Sequence, residues 1–215
     1  MPDLSIEKEC GGLVCGVDEV GRAPLAGPVL AAAVVLDLPH LPAALKRAID
    51  DSKALTPEAR EEIYAELPRC CVMSVGAASV REIERFNILR ASLMAMRRAV
   101  LGLGFTPDIV LVDGNQKAYL PCEQRTVIGG DAKSLSIAAA SIVAKVTRDR
   151  LMAELGRRYE GYGWDHNAGY PTPEHKRGIQ AHGLTPHHRK TFGYVKWLLG
   201  EADKPQPELP LNLLD

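Results

Sequence analysis

Apolar residues fall in short runs separated by two long stretches of helical periodicity. Leu13, Val14, Cys15 and Val17 lead into Asp18 and Glu19, so residues 13–19 read as a strand that ends in two acids. Residues 28–36 (PVLAAAVVL) predict a second strand, and the short turn between the two suits an antiparallel pair. Residues 41–67 read as mostly helical, with Thr56-Pro57-Glu58 as a helix start, a cap followed by proline at the first position. Residues 71–78 (CVMSVGAA) give a third strand. Asn87 is the expected cap of the next helix. Along it Leu89, Leu93, Met96, Val100 and Leu103 recur at helical spacing, while Arg90, Arg97 and Arg98 fall off the stripe. Met96 reads as core filling. Residues 108–113 (DIVLVD) form a fourth strand ended by Gly114, and 125–128 a short fifth, followed by Gly129-Gly130-Asp131. From about Ser134 to Arg158 the pattern is one long helix. Its Leu135, Ala138, Ala139, Ile142, Val146 face is small enough for close packing on a sheet. Beyond Tyr159 the chain is loop-rich, with short helices expected near 174–182 and 188–198. From Glu201 onward proline and acid dominate, which predicts a flexible tail over 201–215.

This order of elements is an α/β pattern with a mixed sheet. Sites in such sheets gather beyond the strand ends, where strand order reverses. If strands one and four are neighbours there, Asp18 and Asp113 end side by side. The 215 residues, 46% hydrophobic and 25% charged, are ordinary globular material, long enough for a sizeable core. A net charge of −1 does not announce a nucleic-acid binder, but the distribution says more. Basic residues concentrate at 133–158 and, with four histidines, at 175–196, and a local basic face binds phosphate even on a neutral molecule. A solvated helix face is the competing reading of such runs. The five cysteines show no zinc spacing, and reduced cytosolic thiols are the simplest reading. With no signal peptide and no run long enough to span a membrane, a soluble cytoplasmic protein is expected.

Four acids sit at element ends rather than on helix surfaces: Asp18, Glu19, Asp113 and Asp131. An acid at the end of a buried strand is costly to desolvate unless a cation pairs with it. The nearest cation, Arg22, lies in the turn, which makes a bound metal the first hypothesis. Adjacent strand residues face opposite ways, so Glu19 joins Asp18 only if the backbone twists, which Gly21 permits. Each acid taken alone reads as a turn or cap residue. Together, hard oxygen ligands without cysteine suit Mg²⁺ or Mn²⁺, and two such ions serve phosphodiester hydrolysis. A metal-dependent nuclease leads on these grounds. Other phosphotransfer and a calcium-stabilised binding domain stay open.

The segments VDEVGRAPLAGPV (17–29), DSKAL (51–55), EIERFNILRASLMAMRRAV (82–100), VDGN (112–115), GDAKSLSIAAASIVAKVTRD (130–149), GYPTPEH (169–175) and PHHRKTF (186–192) together resemble bacterial type 2 ribonuclease H. The resemblance covers about residues 14–196. It implies an α/β, ribonuclease H-like mixed five-stranded sheet flanked by helices, with a helical C-terminal extension. It implies one catalytic domain over 1–200, of which about 160–200 contacts substrate. Asp18, Glu19, Asp113 and Asp131 become the metal-binding catalytic acids. The implied reaction is hydrolysis of RNA in RNA/DNA hybrids and incision 5′ to a ribonucleotide in duplex DNA. Water is the nucleophile, the products carry 3′-hydroxyl and 5′-phosphate ends, and the reaction serves ribonucleotide removal from DNA. Gly21, Arg22 and Ala23 would meet the 2′-hydroxyl, and Tyr170 the following deoxy sugar. Lys53, Ser141, Lys145 and Arg189 would touch phosphates. His175 and His188 are expected to hydrogen-bond rather than ligate.

Two positions depart from the family pattern. Ala23 stands where a third turn glycine is usual, a change that matters only if that residue needs positive φ. Asn167-Ala168 replaces a common His-Lys, removing a positive charge near the substrate channel. No domain precedes the first strand, which speaks against the type 3 branch, and a monomer is expected. Residues 206–211 (QPELPL) loosely resemble a sliding-clamp-binding peptide, although Asn212 stands where its last aromatic belongs. A weak clamp contact and an inert tail are the two readings of that segment. Another nuclease of the same fold and a hybrid-binding module without catalysis are the competing functions; the turn, the 169–175 segment and the four retained acids speak against them.

Overall fold

The computed structural model describes residues 1–203. A short helix α1 (Ser5–Cys10) precedes strands β1 (Val14–Val20) and β2 (Val29–Leu36). Helices α2 (Ala43–Ala48) and α3 (Pro57–Glu66) lead to β3 (Cys71–Ala78) and the long helix α4 (Val80–Leu101). Strands β4 (Ile109–Asp113) and β5 (Glu123–Val127) complete the sheet. Helices α5 (Leu135–Arg158), α6 (Trp164–Asn167), α7 (Pro173–His182) and α8 (Gly193–Leu198) follow.

The five strands lie in the order β3-β2-β1-β4-β5. β1 and β3 flank β2 antiparallel, whereas β1, β4 and β5 run parallel, so the sheet is mixed as the sequence predicts. β1 and β4 are neighbours, and Val17 is in register with Val112. The next residue on each strand is an acid, Asp18 and Asp113, so the two stand side by side where the β1–β4 pairing ends.

Helices cover both faces. Ile83, Ala91, Ala95, Met96 and Ala99 of α4 pack on one face of the sheet. Leu135, Ala138, Ala139, Ile142 and Val146 of α5, the predicted small-residue face, pack on the other. Close approach of α5 requires Gly16: a Cβ there would overlap the backbone of Ser136 and Ile137. The first turn of α5 is fixed further by buried Glu7, whose Oε1 accepts from Ser134 Oγ at 2.6 Å, Ser136 N at 2.9 Å and Ser136 Oγ at 2.8 Å. A third core, with Leu25, Ala26, Met152, Tyr162, Trp164 and Ile179, joins the C-terminal helices to the β1–β2 turn.

Some elements differ from expectation for local reasons. α4 starts at Val80, because Ser79 and Glu82 form a capping box upstream of Asn87. Asn87 still caps the second half of the helix: it kinks the backbone at φ 68, and its Oδ1 accepts from Arg90 N at 3.1 Å. Leu89, in the first turn after the kink, is exposed rather than buried with the rest of the stripe. The last predicted helix begins only at Gly193; Arg189 in the preceding stretch is drawn into the core instead. Among the described residues no helix is long and apolar enough to cross a membrane. The 206–211 segment and most of the predicted tail lie outside the described residues.

Candidate active site

Asp18, Glu19 and Asp113 each offer a carboxylate oxygen, and these oxygens lie within 4.8 Å of one another. Asp18 is buried, and its contacts are the Glu19 amide at 2.7 Å and the Ser141 hydroxyl. Asp113 Oδ1 accepts from Gly130 N at 2.6 Å, which ties β4 to the loop that carries Asp131. Glu19 pairs with Arg22 at 3.2 Å. No ion pair reaches Asp18 or Asp113 among the described residues.

Burial lifts the Asp18 carboxyl well above the usual range, and the neighbouring charges of Glu19 and Asp113 add to the rise. Burial raises Glu19 as well, against the opposing pull of Arg22, and raises Asp113, with Asp131 contributing. Three acids that resist ionising beside one another form a cation-shaped hole. Their donors are all hard oxygens, with no sulfur and no imidazole, so the set fits a divalent ion such as Mg²⁺ or Mn²⁺.

Asp131 lies outside the set of three. Its Oδ2 accepts from Lys53 Nζ at 3.1 Å, next to Asp113. Burial pulls the Lys53 ammonium down, but the hydrogen bond and charge of Asp131 outweigh that, with Asp51 and Asp18 adding, and its affinity for the proton is raised. Lys53 is thus held charged at the rim of the acid cluster, largely in solvent, where a phosphate can meet it.

The remaining expected contacts divide. Lys145 sits half-exposed on α5, paired with Asp149 at 2.8 Å. Ser141 is buried, with its hydroxyl 2.7 Å from Ser52 Oγ, so it orients Asp18 rather than meeting a phosphate. The expectation that Arg189 touches phosphate is corrected by its burial. It is 0% exposed, and its guanidinium donates to Gly27 O at 2.9 Å, Arg22 O at 2.9 Å and Gly21 O at 2.6 Å. Desolvation, and then the charge of Arg148, push Arg189 down to about 9. Its work is to hold the Gly21-Arg22-Ala23 turn from below, with the carbonyls turned inward. The amides of Arg22 and Ala23 engage no hydrogen bond among the described residues. Tyr170 is part-exposed across from the turn, close enough to act electrostatically on both Arg148 and Arg189.

Two groups escaped the sequence reading. Arg148 belongs to a basic run that looks solvated, yet it shares one face of α5 with Ser141, Lys145 and Met152; a cation in line with Met152 was the available signal. The second is a buried imidazole chain. Thr185 N donates to His188 Nδ1 at 2.9 Å, which leaves the proton of neutral His188 on Nε2. That nitrogen donates to His175 Nε2 at 3.1 Å, which also accepts from Trp164 Nε1 at 2.9 Å. His175 Nδ1 then donates to Tyr170 O at 2.9 Å. The two histidines hydrogen-bond in series and brace Tyr170.

Desolvation, then the neighbouring His175, push His188 down to about 3. A folded chain that refuses a proton the unfolded chain accepts near pH 6.5 is stabilised above that pH and loses the benefit as pH falls through it. Chemical denaturation is expected to show a loss of about 2 kcal/mol between pH 6.5 and 5 from this group. His188→Gln is expected to flatten that slope.

The comparisons with known proteins follow the same geometry. The family model described as Ribonuclease HII matches residues 15–198, which span all four acids, the turn and Tyr170. The chain belongs to the ribonuclease HII family. A ribonuclease HII of Granulibacter bethesdensis is 60% identical over 201 residues, covering 93% of this chain and 92% of that protein. A ribonuclease HII of Paramagnetospirillum magneticum is 54% identical over 195 residues, covering 91% and 97%. The crystal structure of ribonuclease H2 from Pyrococcus horikoshii superposes with a TM-score of 0.73 at 29% identity, covering 86% of this chain and 96% of that one. The protein is a nuclease with ribonuclease H type 2 activity, and its sheet is the ribonuclease H-like fold.

Proposed function

We propose that this ribonuclease HII hydrolyses RNA in RNA/DNA hybrids and incises duplex DNA 5′ to embedded ribonucleotides, with two divalent ions held by Asp18, Glu19, Asp113 and Asp131. The observation that carries the reading is the convergence of three acids near the ends of β1 and β4, of which only Glu19 has an ion-pair partner among the described residues. The chemistry that Mg²⁺ or Mn²⁺ supplies between such carboxylates is activation of water and neutralisation of charge on the leaving oxygen. Asp131, paired with Lys53 at 3.1 Å, would be the fourth acid to hold the ions, and Lys53 would stand beside it to meet a phosphate.

Recognition falls to the turn and to Tyr170. Arg189 fixes the carbonyls of Gly21 and Arg22, so the free amides of Arg22 and Ala23 present two donors in one orientation. A ribose 2′-hydroxyl offers the matching acceptor, and a deoxyribose leaves the donors unpaired. The Tyr170 ring packs against the sugar that follows the ribose and favours one that lacks the hydroxyl. Lys53 and Lys145 meet phosphates along the strand.

Ala23 is compatible with this role. Only Asn87, Tyr119 and Ala168 have positive φ among the described non-glycine residues, so Ala23 carries no left-handed strain. Ala23→Gly is expected to change kcat/KM on a single-ribonucleotide duplex by less than about threefold; a tenfold gain would mean that the methyl obstructs the sugar.

Cleavage of an RNA/DNA hybrid in ¹⁸O-labelled water tests the reaction. The reading expects 3′-hydroxyl ends and ¹⁸O in the new 5′-phosphate. A 2′,3′-cyclic phosphate would show that the ribose hydroxyl attacks instead. Clamp binding through 206–211 is tested separately, with the chain truncated after Gly200 beside the full chain in a clamp pull-down; equal retention ends that reading.

A further inference from the structure

We infer that Arg148 is a positioning residue that sets the spacing between the Gly21-Arg22-Ala23 turn and Tyr170, and so determines how strongly an RNA-to-DNA junction is preferred over continuous RNA. The inference rests on the recognition roles proposed above for the turn and for Tyr170.

Arg148 stands on α5 and is 0% exposed. Its fork spans two segments remote in sequence. Nε donates to Pro28 O at 3.1 Å and one terminal nitrogen to Ala26 O at 3.1 Å, both at the foot of the turn. The other terminal nitrogen donates to Ala168 O at 2.9 Å, two residues before Tyr170. The guanidinium lies directly beneath Gly21, where any Cβ would overlap its Nε, so the turn rests on the same group that reaches the Tyr170 loop.

No carboxylate pairs with Arg148 among the described residues. A fully buried guanidinium satisfied only by carbonyls is a costly way to fill space, and an apolar side chain would pack there at lower desolvation cost. What a planar fork offers and an apolar chain lacks is three directed donors at fixed separations. Its three acceptors divide between the turn and the Tyr170 loop. Ala168 carries the loop side of the bridge in a left-handed conformation, φ 48 and ψ 30, which aims its carbonyl at Arg148. Arg189 has a different task, because all of its guanidinium bonds end within residues 21–27. Among the described residues the one other hydrogen bond between the two segments is the backbone bond from Leu25 N to Gly169 O at 2.8 Å.

A junction is read only when the turn meets the ribose and Tyr170 meets the next sugar together, so a shift in their spacing penalises junctions more than continuous RNA. Arg148→Lys keeps the charge but cannot span the three carbonyls. The ratio of kcat/KM on a single-ribonucleotide duplex to that on an RNA/DNA hybrid is expected to fall about tenfold, with hybrid cleavage falling by a smaller factor. Adding Arg148→Lys to Tyr170→Ala is expected to leave the ratio where Tyr170→Ala alone puts it, because both act through one contact. An equal loss on both substrates, or an additive double variant, would overturn the inference and leave Arg148 a folding residue. If Arg148→Lys does not fold, Ala168→Val takes its place, because a β-branched residue disfavours the left-handed backbone that aims this carbonyl at Arg148. The ratio is then expected to fall about fivefold, and an unchanged ratio overturns the inference. Wild-type protein that cuts neither substrate would instead contradict the function proposed above.

Discussion

Asp18→Asn is expected to lower hybrid cleavage by about 10³-fold or more and, in the same protein, to raise the melting temperature of the metal-free form. The activity loss follows from removing the most buried member of the acid cluster, since ion-assisted charge stabilisation is worth several kcal/mol of barrier. The stability gain follows from the sign of its shift. Burial raises Asp18, so the folded chain holds the proton more tightly than the unfolded chain does. The stability this gives is complete below about pH 4 and is lost as pH rises through the raised value. At neutral pH and without metal, the buried Asp18 carboxyl therefore opposes folding. Asparagine removes that cost, and a rise of about 5 °C in metal-free Tm is expected. Mn²⁺ should then stabilise the wild type by mass action and the variant much less. A metal-free Tm that falls in the variant would mean that Asp18 is a structural acid.

Gly21→Ala is expected to be the most damaging change outside the acids. Gly21 has φ +90, a conformation L side chains rarely adopt, and the added methyl would overlap Arg148. The turn must move off both buried arginines, which carries the Arg22 and Ala23 amides away from the sugar and Glu19, two residues earlier, away from Asp18. A displacement of about 1 Å is enough for a loss near 10²-fold in kcat/KM. Thermal melting is expected to show a stability loss of about 2 kcal/mol or more from strain and overlap. The contrast with Ala23→Gly is informative, because the two sites are two residues apart and only one has positive φ. Full activity in Gly21→Ala would show that the turn does not read the substrate in this conformation.

The legible parts of the fold were those that local pattern writes directly. The apolar runs at residues 13–17 and 109–112 mark two strands, and an acid following each one placed Asp18 and Asp113 before their pairing was known. The small-residue face of α5 announced a helix lying close on a sheet, which Gly16 makes possible. Glu7 left no trace in the pattern, because α1 spans only six residues and its partners stand 127 and 129 positions away. Arg189 was misread for a related reason. Sequence shows a cation among cations, whereas burial depends on which carbonyls the folded turn offers it. Asp131 is intermediate: two preceding glycines marked a loop near a ligand, but the contact with Lys53 is set by tertiary placement. The imidazole chain bracing Tyr170 is likewise a product of helix α7 meeting the loops that carry Tyr170 and His188, and no spacing in the sequence encodes it.

The central claim is that three satisfied carbonyls and three converging acids make one apparatus: a rigid turn that reads a ribose beside a site that cuts its 5′ phosphate. Incision of an end-labelled DNA duplex containing one ribonucleotide tests it most directly, with Mg²⁺ or Mn²⁺, with EDTA, and beside an all-DNA duplex. The account predicts a single cut 5′ to the ribonucleotide that EDTA abolishes, and none on all-DNA. Cutting that ignores the ribonucleotide, or that survives EDTA, would contradict it.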